Sequence, residues 1–163
     1  MFSNRESTTA MTTPPPANHG GAKSHAPLAR PDLGQALAEC RKVRRSIQSI
    51  LQYAKRGAHD LHSGLSWSNS LARFEALSME QARSLARFPV DADDPRFGLV
   101  LRRTRMAFID FRETVRREAI SIIEPDIQET MLAEVLEGID GKAAAAADGL
   151  ETLERMLETA QAG

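Results

Sequence analysis

From residue 33 to residue 61, apolar side chains recur at steps of three and four: Leu33, Leu37, Cys40, Val43, Ile47, Ile50, Leu51, Ala54, Ala58 and Leu61. One continuous face at that spacing belongs to a helix of about eight turns. A strand cannot present it, because its side chains alternate with a period of two. The helix should open near Pro31-Asp32, and Ser63-Gly64 should close it.

The rest of the chain follows the same period. Trp67, Leu71, Phe74 and Leu77 are in helical register. A break is expected at Ser78, where Ser78-Met79-Glu80-Gln81 fits a capping box, followed by a short helix carrying Ala82, Leu85 and Phe88 to Pro89. A third helix should start at Asp94 as N-cap with Pro95 in its first turn. Its stripe reads Leu101, Phe108, Phe111, Val115, Ala119 and Ile122, and Glu124-Pro125 should stop it. A fourth places Ile127, Met131, Leu132, Val135 and Leu136 inward, with a break at Gly138 and Gly141. A fifth runs from about Lys142 to Ala160. No strand-like alternation and no internal repeat appear. The expected fold is all-α, an antiparallel bundle of about four to five helices.

Residues 1–28 differ from the rest. They are rich in Ser, Thr, Pro, Ala and Gly, with Pro14-Pro15-Pro16 and Gly20-Gly21. Such a stretch buries too little apolar surface to offset its ordering entropy, so it reads as a disordered leader before a single helical domain at 29–163. The lone Cys40 excludes an internal disulfide framework. No apolar run reaches the length of a membrane span, and no secretory h-region is present. The cytoplasm is the expected location, with export through a polar uncleaved leader as the alternative.

Charge is divided along the chain. Residues 28–123 carry 17 Lys and Arg against 11 Asp and Glu, whereas residues 124–163 carry 2 against 10. A basic front and an acidic back must neutralise each other in the fold or be offered to partners. The basic residues cluster on two helices. Arg41, Arg44 and Arg45 lie on the first, and Arg102, Arg105, Arg112 and Arg116 fall near one side of the third. Two uses follow. The arginines meet the acidic C-terminal residues along helix seams, or they contact phosphate or an acidic partner outside the molecule. A nucleic-acid regulator would use the second. Against it stand a sequence pI near 6.4 and the absence of a recognition-helix signature or of aromatics interleaved with the basic residues.

Candidate chemistry is sparse. His59 and His62 share a helix face, but a zinc site needs at least three protein ligands and no third is in register, so no metal is expected. Cys40 lies on an inward stripe without a neighbouring base, which reads as a buried thiol. Carboxylate pairs such as Glu134-Glu137 and Glu151-Glu154 sit on outward positions where both stay ionised, unlike a catalytic pair. No glycine-rich phosphate cradle appears. No catalytic residue and no cofactor are expected. The remaining element with an unexplained surface is the C-terminal helix. Its narrow stripe of Leu150, Leu153, Met156 and Leu157 ends without further caps, as in helices that finish their burial in a groove. The leading expectation is a non-catalytic helical protein that binds another protein, as an adaptor, chaperone or regulatory subunit. Self-association is a natural way for such a modest core to complete itself.

Overall fold

The computed structural model describes residues 31–65, 68–122 and 129–163. The expected leader at 1–28, Trp67, the Glu124-Pro125 stop and Ile127 lie outside the described residues. Four helices follow in order: α1 (Leu33–His62), α2 (Asn69–Ala86), α3 (Gly98–Ile122) and α4 (Glu129–Ala162). Helices consecutive in the chain run antiparallel, as do α1 and α4. Arg41 near the start of α1 meets Glu158 near the end of α4, and Lys55 meets Asp140. Among the described residues there is no strand, and no helix is long and apolar enough to cross a membrane.

The ends of α1 form as the sequence predicts. The Asp32 carboxylate accepts from the Gln35 backbone N–H at 3.0 Å, satisfying one orphan donor of the first turn. At the other end Leu65 N–H donates to Asp60 O and Gly64 N–H to Leu61 O. That pair of bonds requires a left-handed residue, and Gly64 takes it at φ 84°. Ser68 then caps α2, accepting from Leu71 N–H while donating to the Asp60 carboxylate at 2.6 Å.

Two expected breaks do not occur. α2 runs through Ser78, because that hydroxyl accepts a 3.0 Å bond from Arg112 Nε and stays buried inside the bundle. It therefore caps nothing. The fourth and fifth helices are one, α4, which runs through Gly138 and Gly141. Each glycine costs about 1 kcal/mol of helix propensity. The residues around them are pinned: Ile139 and Ala143 are buried, Asp140 pairs with Lys55, and Lys142 pairs with Asp110 at 2.6 Å. Asp94 does cap the approach to α3, its Oδ1 accepting from Arg96 and Phe97 N–H, although regular helix begins only at Gly98.

The core is built from the predicted stripes. Leu37, Val43, Ile47 and Ile50 of α1 meet Phe74 of α2, Leu101, Phe108 and Phe111 of α3 and Leu150, Leu153 and Leu157 of α4. Phe111 stands edge-on to both Phe74 and Phe108, with ring centroids 6.0 and 6.3 Å apart, the geometry that ring quadrupoles favour. A smaller cluster of Ala58, Leu61, Ile122 and Leu132 closes one end. α4 packs closely on both α1 and α3 along its small residues, whereas α2 and α3 approach each other less.

Candidate functional site

Six of the seven arginines singled out from sequence bond within the bundle through side chains or carbonyls of neighbouring segments. On the α1–α4 seam, Arg41 Nε and Arg44 Nη1 donate to Glu154 at 2.9 and 2.6 Å, and Arg41 Nη2 reaches Glu158 at 2.6 Å. Glu154 is only 8% exposed. Burial alone would raise its carboxyl, but the hydrogen bonds from Arg44 and Arg41 outweigh that and hold it below its usual range. The same two bonds raise the arginines. Among the described residues, Arg45 donates only to the Arg41 carbonyl of its own helix, at 3.3 Å. It lines a groove of about 700 Å³ with Arg41 and Arg44, whose acid, Glu154, the molecule already supplies.

Three of the remaining four form a ladder across the wider α2–α3 seam. Arg105 donates from Nε to Leu85 O at 2.7 Å and from Nη2 to Ala86 O at 3.3 Å, neutralising the carbonyl end of α2. Arg112 reaches Ser78, and Arg116 grips Glu75 with two bonds of 2.7 and 2.8 Å. The Arg116 bonds pull the Glu75 carboxyl below its usual range. Burial lowers Arg112, whose Nη2 has no hydrogen-bond partner. Arg102 ties the preceding loop to α3 through Ala92 O and Asp93.

The C-terminal stripe divides. Leu150, Leu153 and Leu157 are fully buried in the core, so a partner could reach them only by displacing α4. Met156 is half-buried and opens onto the surface. It lines a shallow groove of about 530 Å³ with Arg96, Phe97, Thr152, Arg155, Thr159 and Ala160. The α4 members recur at steps of one, three and four, forming one helix face, and the loop before α3 supplies the opposite wall. Arg96 lies over the Phe97 ring at 4.8 Å. Thr152 and Thr159 donate back to carbonyls four residues earlier, which leaves their methyl groups to the groove. The result is an apolar trough with Arg96 and Arg155 at its edges.

Sequence reasoning reached Met156 but missed Arg96, Phe97 and Arg155. Phe97 precedes its helix and falls outside the periodic stripe, and Arg155 is one outward residue among many. Asp94-Pro95 just before Arg96-Phe97 was the available signal that this pair is held in a turn.

Cys40 is fully buried, and its thiol donates to Leu150 O at 3.3 Å. Burial, followed by the Glu154 charge, pushes it up to about 12. Such a thiol is a packing group. His59 and His62 sit in the last turn of α1. Among the described residues no three His, Cys, Asp or Glu gather as metal ligands. No family model matches the chain, and neither a curated protein nor a solved structure does.

Proposed function

We propose that this chain is a non-catalytic helical protein that acts by docking another protein, as an adaptor, chaperone or regulatory subunit. The observation that carries this reading is the groove of Phe97, Met156 and Ala160 edged by Arg96 and Arg155. An apolar floor takes a partner's aliphatic or aromatic side chain, and the flanking guanidinium groups, Arg155 and the exposed Arg96 that also meets Asp94 at 3.4 Å, favour carboxylates beside it. The fitting partner segment is therefore acidic with an apolar anchor. A nucleic-acid regulator is the weaker reading, because Arg41, Arg44, Arg105, Arg112 and Arg116 already have partners within the chain.

The test is affinity purification of the intact protein from its host beside two groove variants, Arg155→Glu and Met156→Ala. A partner recovered by the parent protein and lost by both, while far-UV circular dichroism stays unchanged, fits the reading. A partner recovered equally by all three rules the groove out.

A further inference from the structure

Of the large apolar side chains exposed among the described residues, four lie on α3: Leu99 (55% exposed), Met106 (64%), Ile109 (47%) and Ile120 (71%). At 100° per residue they fall within one stripe of about 80°, turned away from Phe108 and Val115. The α3 residues that bond α2, Arg105, Arg112 and Arg116, lie to one side of this stripe, and Asp110, which accepts from Lys142 of α4, lies to the other. Leu99, Met106, Glu113 and Ile120 are spaced by sevens, and Arg102 and Ile109 each follow one of them by three. The spacing is that of a coiled-coil seam, with Leu99, Met106, Ile109 and Ile120 apolar and Arg102, Glu113 and Arg116 at the other seam positions.

We infer that this face of α3 binds a second copy of the chain, with the two α3 helices antiparallel about a two-fold axis. Charge selects both the occupant and its direction. With Met106 level with Ile109 of the second copy, Arg102 stands opposite the second copy's Glu113, and symmetry makes the pairing twice. Leu99 then falls level with the second copy's Arg116, along whose aliphatic stem it can lie while that guanidinium stays on Glu75, and Ile120 falls level with the second copy's Pro95, just before its α3. A parallel pair would set Glu113 against Glu113 and Arg102 against Arg102, which like charges oppose. Both side chains are more than half exposed in the monomer, at 55% for Arg102 and 57% for Glu113. They are free to turn from their local partners toward the seam. Only the Met106–Ile109 centre is wholly apolar, so the dimer is reversible.

Sedimentation velocity on the full chain from about 1 μM to about 1 mM tests this. The parent protein should shift from monomer to dimer across that range. Arg102→Glu and Glu113→Arg should each weaken association at least about tenfold, and the double exchange should return it to within about twofold of the parent. Met106→Glu reads the seam independently and should be monomeric, with thermal unfolding showing that it is folded. A parent protein that stays monomeric overturns the inference. So does a dimer that ignores Met106→Glu, or charge variants that the double exchange fails to rescue. The groove reading stands or falls separately from this result.

Discussion

At the scale of single residues, the arginines are distinguished by what they touch. Glu75 shows the consequence most simply. Arg116 holds its carboxyl below the usual range, so its native pKa lies under its unfolded one. That contribution is fully present above the unfolded pKa and is lost as pH falls through the lowered native value. Glu75→Gln should therefore cost about 0.5–1 kcal/mol near neutrality, a figure kept small because the pair is partly exposed. Once pH falls below that lowered native value, the variant and the parent should converge. Urea unfolding across that range measures it. A seam between the first helix's arginines and the acidic C-terminal residues was one of the two uses the sequence offered, but the α2 partners of the α3 arginines were not legible in it. The spacing of Arg105, Arg112 and Arg116 put them on one side of α3, but which helix faces that side is a property of the assembled bundle.

At the scale of elements, the helices themselves were legible because their stripes are long and regular. Their interruptions were not. Ser78 and the pair Gly138 and Gly141 are stop signals by local chemistry, and tertiary contacts overrode both. The glycines of α4 make this measurable, because their surroundings differ. A Cβ at Gly138 or Gly141 would meet nothing within 4 Å, whereas one at Gly149 would stand 2.7 Å from Thr104 Oγ1 and 3.3 Å from its Cα. Gly138→Ala and Gly141→Ala should each stabilise by about 0.5–1 kcal/mol, through helix propensity and a less flexible unfolded chain. Gly149→Ala should instead destabilise by about 1–3 kcal/mol, since α3 must move or Thr104 must leave its place. Chemical denaturation of the three variants gives the signs, and a stabilising Gly149→Ala would mean that α3 and α4 do not approach so closely.

At the scale of the whole molecule, the uneven charge of the two parts of the chain resolves into seams. The acidic α4 lies along the basic side of α1, and α3 uses its arginines to bridge to α2. Among the described residues, what faces outward includes the groove edged by Arg96 and Arg155 and the outward stripe of α3. The groove was only partly legible, because one wall is a loop and the other is a helix face whose neighbours had to be known. The account depends most on Arg44 and Glu154 meeting across α1 and α4. A double-mutant cycle with Arg44→Ala, Glu154→Gln and the combined variant, followed by urea unfolding at low and high salt, measures that contact. The prediction is a favourable coupling free energy clearly above experimental error that shrinks as salt rises. Strictly additive effects at every salt concentration would mean that Arg44 and Glu154 are not in contact.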